Sequence, residues 1–368
     1  MSKSNSNKGI ILLCAGGTGG HLFPAEALAH ELVSRGWDIH LATDERAERF
    51  AKSFPAIQTH IIRSATFSGK NPVKLIQAMW TLFNGYRQSQ KLLKELQPDV
   101  VVGFGGYPTV PPLYAATRIG ISTLLHEQNA VLGRANKMLS DAVDKIAIGF
   151  EQAHGEPLKN MVQTGNPVRP MVLKVCDTAY PIRQVEDVFK LVVFGGSQGA
   201  RFFSEVMPAA LELLTAEELG RLDIVQQARP EDEDGLKQAY EKLGVKARIS
   251  PFFDNMPEEI SKAHLVISRA GASTVTELAV IGRPAVLIPY PTALDGDQAW
   301  NAVAMAKAGG ADVIVQAELS PQLLAEKLQS MIANPKKLAL AAKKAKTSGN
   351  PDAMVMLADC VEQLASKD

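Results

Sequence analysis

Residues 16–21 read Gly-Gly-Thr-Gly-Gly-His and follow directly on the apolar run ILLCA (11–15). Glycines after a strand let the backbone turn sharply and come close to a ligand. The helix that follows offers free N–H groups and a positive dipole end. Such a turn suits an anion or sugar hydroxyls. His21 comes next, and histidine is the residue type suited to proton abstraction near neutral pH. It could equally be a helix-start histidine with no chemical role. The familiar nucleotide fingerprints do not fit. GxGxxG fails because the third position after Gly17 and Gly19 is Leu22, and no GK[ST] follows. Asp44 ends the next strand without its partner motif, so a dinucleotide dehydrogenase is disfavoured.

The pattern recurs three times. VVGFGGYPTVPP (101–112) carries Gly103, Gly105, Gly106 and Pro108. VVFGGSQGARFF (192–203) carries Gly195, Gly196, Ser197 and Gly199. VISRAGASTVTE (266–277) carries Gly271, then Ser273 and Thr274. In open α/β sheets ligands bind outside the carboxyl ends of the strands, where all four turns fall. Close helix–sheet packing explains one such turn as well as a ligand does; four together favour the ligand. TVTE (274–277) has the spacing of a capping box, yet Glu277 could instead accept hydrogen bonds from two ribose hydroxyls. HEQNA (126–130) gathers His126, Glu127, Gln128 and Asn129 at a strand end, which suggests sugar contacts. Arg169 and Arg201 each follow a Gly- or Pro-rich turn; both also read as surface charges.

These residues need elements to hold them. The 368-residue chain is too long for one typical core. Strand candidates in the first half are 9–15, 37–43, 60–63, 99–104, 122–127 and 145–150. The helix candidate 24–36 lies between the first two. After residue 185 the series restarts at 190–196, 222–228, 247–252, 265–270, 284–289 and 311–316. Apolar strands separated by helices mean parallel sheets covered on both faces. The expected fold is α/β, with two Rossmann-like, doubly wound parallel-sheet domains at 1–166 and 167–350. The seam falls in TGNPVRPMV (164–172), where Pro167 and Pro170 stiffen the connection. Residues 351–368 form an amphipathic helix expected to pack back on the N-terminal domain.

Composition excludes several classes. Lys plus Arg and Asp plus Glu are both 39, a formal net charge of 0, which disfavours a nucleic-acid binder. Cys14, Cys176 and Cys360 are scattered, without ligand spacing for zinc. The acidic run EDED (231–234) reads as a solvated charge run, not a metal site. The N-terminus lacks an apolar signal core, and no apolar stretch reaches spanning length, so a cytosolic protein is expected. It can still touch a membrane. In 70–96, Leu75, Met79, Leu82, Phe83 and Tyr86 share a helical face with Trp80 at its edge. Lys70, Lys74, Arg87, Lys91 and Lys94 flank it. The face suits either a core or docking to an anionic membrane.

Taken together, GGTGGHLFPA, GFGGYPTVPP, HEQNAVLGRANK, GNPVR, GGSQGAR, SRAGASTVTEL and DQAWNA resemble the MurG family of glycosyltransferases. These motifs run from residue 16 to about 302, nearly the whole chain. The resemblance implies the GT-B fold, two Rossmann-like domains facing a cleft. It implies inverting transfer of N-acetylglucosamine from UDP-GlcNAc to the C4 hydroxyl of the muramic acid of lipid I. The product is lipid II for peptidoglycan, made on the cytoplasmic face of the bacterial inner membrane, with no cofactor and no metal. Carried over by residue, Phe253 stands at the uracil through its backbone. Ala272, Ser273, Thr274, Val275, Thr276 and Glu277 surround the ribose and diphosphate. Ser197 binds the diphosphate, Gln298 the sugar hydroxyls, and Arg169 reaches from the seam. Thr18, Gly19, Gly20 and Asn129 close on the sugar. Gly17, Gly105, Gly106 and Tyr107 face the acceptor. His21 matches the candidate general base, with Glu127 its rival or helper. Leu75, Met79, Trp80, Leu82 and Phe83 meet the membrane. The alternatives are another GT-B lipid glycosyltransferase, a UDP-GlcNAc 2-epimerase, and a non-catalytic nucleotide-sugar sensor.

Overall fold

A computed structural model describes residues 8–16, 19–45, 54–65, 71–152, 158–196, 201–293 and 296–366. The chain divides into two compact units, Met1–Arg169 with Asp352–Asp368, and Pro170–Pro351.

The first unit is built on seven strands: β1 (Ile10–Cys14), β2 (Asp38–Thr43), β3 (Gln58–Ile61), β4 (Val100–Gly103), β5 (Ser122–Glu127), β6 (Lys145–Ile148) and β7 (Met161–Gln163). They lie in the order β3-β2-β1-β4-β5-β6-β7, and every pairing is parallel. The strand period of two sorts the side chains onto opposite faces. Ile11, Leu13, Val100 and Val102 pack with Leu22, Leu28 and Leu32 of the Gly19–Ser34 helix. Leu12, Cys14 and Val101 pack on the other face with Leu93, Leu113 and Ala116. Covering both faces is what makes these strands apolar throughout.

The C-terminal Ala353–Ala365 helix belongs to this unit. Leu357, Ala358, Val361 and Leu364 join the same cluster as Ile11 and Leu28. Its polar edge is tied down by Arg35, whose Nη1 donates to Asp359 at 2.6 Å and Glu362 at 2.7 Å. Trp37 Nε1 and Lys8 Nζ also donate to Glu362, at 2.9 and 2.8 Å.

The second unit holds β8 (Phe189–Phe194), β9 (Leu222–Gln227), β10 (Lys246–Ser250), β11 (Leu265–Ser268), β12 (Ala285–Leu287) and β13 (Ala311–Val313). Their order is β10-β9-β8-β11-β12-β13, again all parallel. Phe189, Leu191 and Val193 pack on Phe203, Met207 and Leu211 of the Arg201–Leu211 helix.

Three details depart from the sequence reading. β7 was not anticipated; three residues are too few to display a period. The first helix begins at Gly19, not Pro24, because glycine's low helix propensity hides the first turn. Pro24 therefore sits inside the helix near its start, where it forgoes the bond its N–H would make to Gly20. The TVTE capping box does not form. The Ala272–Ile281 helix has Gly271 as its N-cap, so Glu277 lies in the second turn. EDED occupies the first turn of the Pro230–Lys242 helix, where the macrodipole favours acidic residues.

Candidate active site

Each sheet reverses its winding beside its first strand, which is where a doubly wound domain binds ligands. In the first unit the switch lies between β1 and β4. Cys14 pairs with Gly103, so the two strands end side by side. His21, in the first turn of the Gly19–Ser34 helix, rests against the second turn. A Cβ on Gly105 would stand 3.2 Å from His21 Cε1, and one on Gly106 would stand 3.4 Å from His21 Cδ2. Both glycines have positive φ, +92° and +77°. Gly16 and Gly103 serve packing instead. Added Cβ atoms there would lie 2.5 Å from Pro108 and 2.4 Å from Thr109.

The β5 end does not present its polar residues to solvent. His126, Glu127 and Gln128 are buried. His21 Nδ1 lies 2.9 Å from Gln128 Oε1. Gln128 Nε2 lies 2.8 Å from His126 Nδ1, and His126 Nε2 lies 3.2 Å from the Gly165 carbonyl. Burial pushes His126 down to about pKa 4, so its ring is neutral near pH 7. Glu127 accepts four hydrogen bonds. Oε1 receives Asn129 N (2.9 Å) and Nδ2 (3.2 Å), and Oε2 receives Gly133 N (2.9 Å) and Asn136 Nδ2 (2.8 Å). Its lone-pair sites are therefore filled. Asn129 remains half-buried, and Tyr107 starts a short 3-10 turn beside Gly106.

In the second unit the switch lies between β8 and β11, with Ser268 paired to Phe194. The ten-residue Ala272–Ile281 helix starts here with no side-chain cap. Its first N–H groups are thus open to an anion. Among the described residues, nothing lies within 4 Å of a Cβ built on Gly196, Gly271 or Gly296. Ser273 is exposed, Thr274 half-buried, Ala272 half-buried and Val275 fully buried. Thr276 Oγ1 donates back to the Ala272 carbonyl at 2.8 Å. Glu277 is buried at 8% exposure. Gln298 Oε1 accepts from Ala270 N at 3.2 Å and Tyr290 N at 3.0 Å, so this side chain joins the β11 and β12 ends. Phe253 is half-buried between β10 and the Met256–Lys262 helix.

Arg269 was not singled out from the sequence. Its guanidinium is buried among the rings of Phe202, Phe203 and Tyr290, 5.2 to 5.4 Å from their centroids. It donates to the Ile288 carbonyl (3.2 Å) and Gln316 Oε1 (2.6 Å). Among the described residues no carboxylate pairs with it. An arginine inside an otherwise apolar SRAG run was the available signal. Arg201 is a surface charge paired with Glu205 at 2.9 Å. Arg169 is the last residue of the first unit before the chain leaves it. Gly17, Thr18, Ser197 and Lys70 lie outside the described residues. Among the described residues, no cluster of three or more His, Cys, Asp or Glu could hold a metal ion.

The Pro72–Leu96 helix buries Ala78, Gly85, Ser89 and Leu93 and exposes the face opposite. Leu75, Ile76, Met79, Trp80 and Phe83 are all exposed, and Trp80 stacks on Phe83 with ring centroids 5.9 Å apart. Trp80 is itself exposed beside Phe83. Leu82 is half-buried, and Tyr86 packs toward the core. Ile76 and Val73 extend the patch beyond the residues expected. Among the described residues, no helix is long and apolar enough to cross a membrane.

Two Rossmann-like parallel sheets with glycine turns at their switch points, one with a histidine and the other with an open helix N-terminus, define a protein of GT-B fold. Residues 11–148 match the glycosyltransferase family 28 N-terminal domain and 190–357 its C-terminal domain. The chain is 58% identical over 362 residues to the UDP-N-acetylglucosamine--N-acetylmuramyl-(pentapeptide) pyrophosphoryl-undecaprenol N-acetylglucosamine transferase of Brucella suis, covering 98% of this chain and 96% of that protein. The Brucella abortus protein of the same name is equally similar, at 58%. The crystal structure of Acinetobacter baumannii MurG superposes with a TM-score of 0.82 at 28% identity, over 96% of this chain and 99% of that one. A UDP-GlcNAc 2-epimerase from Neisseria meningitidis shares the fold alone, with a TM-score of 0.66 at 14% identity over 96% of this chain and all of that one. The chain belongs to glycosyltransferase family 28, in its MurG branch.

Proposed function

We propose that this chain transfers N-acetylglucosamine from UDP-GlcNAc to the C4 hydroxyl of the N-acetylmuramic acid of lipid I, giving lipid II for peptidoglycan. The 58% identity across 98% of the chain to a transferase of that name carries the reading. The local geometry supports particular roles. His21 is the general base, because its ring sits at the β1–β4 switch point with one nitrogen engaged by Gln128. Glu127, its four acceptor sites filled, instead shapes the 127–136 loop.

The donor lies at the second switch point. The leaving diphosphate gains charge as the glycosidic bond breaks. The open N-terminus of the Ala272–Ile281 helix and the buried Arg269 charge supply positive potential there, and Ser197 binds the diphosphate through its hydroxyl. Glu277 takes the ribose hydroxyls, the Phe253 backbone the uracil, and Gln298 and Arg169 the sugar and phosphates. Thr18, Gly19, Gly20 and Asn129 close on the sugar, and Gly17, Gly105, Gly106 and Tyr107 face the acceptor. The exposed apolar face of the Pro72–Leu96 helix docks on an anionic membrane on the cytoplasmic side, where the lipid acceptor lies.

The test is transfer of sugar label from UDP-GlcNAc to a short-chain lipid I analogue in the presence of EDTA. Labelled lipid establishes the reaction. UDP-GlcNAc binding without transfer points to another acceptor lipid or to a sensor.

A further inference from the structure

We infer that Gln128 and His126 are positioning residues that fix the tautomer of His21, holding its proton on Nδ1 and leaving Nε2 bare. This rests on the reading of His21 as general base. The chain of hydrogen bonds has one consistent direction. The Gly165 carbonyl can only accept, so His126 Nε2, 3.2 Å away, carries the ring hydrogen. The buried ring is neutral, so its Nδ1 is bare and must accept. Gln128 Nε2 meets that nitrogen at 2.8 Å and the His126 carbonyl at 2.9 Å. Both partners are acceptors, so the amide NH2 belongs at this end. Turning the amide over would set its oxygen against two acceptors.

Gln128 Oε1 then necessarily faces His21 Nδ1, at 2.9 Å. An amide oxygen only accepts, so His21 Nδ1 carries the hydrogen in the neutral ring. The amide is confined, because Gln128 is 3% exposed and its backbone carbonyl, which accepts from Asn166 Nδ2 at 2.9 Å, anchors the residue. His21 is also confined by Gly105 and Gly106 beneath its ring. In the reaction, the acceptor hydroxyl proton moves to His21 Nε2 as its oxygen bonds to the anomeric carbon. The bond from that carbon to the phosphate oxygen breaks, and UDP leaves with the electron pair. The imidazolium returns its proton to water after release. With the other tautomer, Nε2 would already be protonated and could not act.

Nitrogen-15 histidine NMR of the unmodified protein reads the tautomers directly. The expected pattern is Nδ1–H on His21 and Nε2–H on His126. Nε2–H on His21 overturns the inference, whether or not any variant folds. The kinetic arm uses Gln128→Leu, expected to lower kcat about 100-fold with KM for UDP-GlcNAc within about twofold. In a His21→Ala background the same change should cost nothing more. Losses that multiply would mean Gln128 acts otherwise and overturn the relay. Wild-type turnover in His21→Ala alone sinks the base reading; an inactive His21→Ala with the wrong tautomer sinks only the relay.

Discussion

The His21 imidazole lies over the bare Cα of Gly105, so near that a Cβ there would stand 3.2 Å from His21 Cε1. Gly105 also holds φ at +92°, a conformation that side chains disfavour. Gly105→Ala should therefore cost roughly 1–2 kcal/mol in a urea titration. It should also lower kcat by about tenfold or more, because the base is displaced. Unchanged kcat in a folded variant would remove His21 from the chemistry or show that its ring has room to give.

Glu127 separates a structural carboxylate from a catalytic one. Glu127→Ala leaves the N–H groups of Asn129 and Gly133 and the Asn136 amide without their acceptor. Each orphaned donor costs about 1–3 kcal/mol, so a loss of roughly 3 kcal/mol or more is expected. Activity should fall in step with stability. A variant with wild-type stability and no turnover would restore Glu127 as a candidate base.

Gly271 tests the donor side. Its φ of −62° suits any residue, and among the described residues nothing lies within 4 Å of an added Cβ. Gly271→Val should change stability by less than about 1 kcal/mol. Calorimetric affinity for UDP-GlcNAc should fall about tenfold or more, since the backbone can no longer approach the diphosphate. Equal affinity in the variant would move the nucleotide elsewhere.

Stability should fall with acid over a defined window. Burial lowers His126 and His264 to about 4, helped at His264 by Arg183, Lys190 and Arg283. Burial also lowers His40 and His60. The folded state favours the neutral rings, whereas unfolded histidines take protons near pH 6.5. Their contribution is thus complete above about pH 6.5 and is lost as pH falls toward 4. At Glu362, burial raises the pKa, but hydrogen bonds from Lys8, Trp37 and Arg35 outweigh it and hold the group at about 2. That carboxylate stays ionised through the window. Urea midpoints between about pH 7 and pH 4 should decline, by roughly 1–3 kcal/mol for each fully buried ring. A flat profile would contradict this.

The Trp80–Phe83 stack belongs to an exposed apolar face of the Pro72–Leu96 helix. Leu75→Glu with Phe83→Glu should reduce co-sedimentation with anionic vesicles and leave turnover of a soluble acceptor intact. The buried side of that helix, Ala78, Gly85, Ser89 and Leu93, is untouched by these changes. Equal sedimentation would count against membrane docking through this face.

The alternation of strands and helices, and the turns at the strand ends, were legible because apolar runs and glycines declare themselves locally. The division of labour among glycines was not. Gly103 and Gly271 look alike in sequence, yet Gly103 makes room for Thr109 and Leu113, whereas Gly271 has open space. Only the neighbours across the fold distinguish them. HEQN read as a set of sugar contacts because polar residues follow an apolar strand. Three of the four turn inward: His126 and Gln128 meet the distant Gly165 and His21, and Glu127 is closed in by its own loop through Gly133 and Asn136. TVTE had capping-box spacing, but the helix had already begun at Ala272. On the Pro72–Leu96 helix, the apolar residues were evident, while the exposed side was decided by the packing of Ala78 and Gly85.

The first unit begins at the amino terminus but takes its last helix from residues 353–365. During synthesis, Pro170–Pro351 therefore emerges complete while the earlier unit still lacks Leu357, Val361 and Leu364. The part made first is the part finished last. A chain lacking residues 353–365 would leave an apolar gap beside Ile11 and Leu28, so the opening strand is sealed only by the Ala353–Ala365 helix.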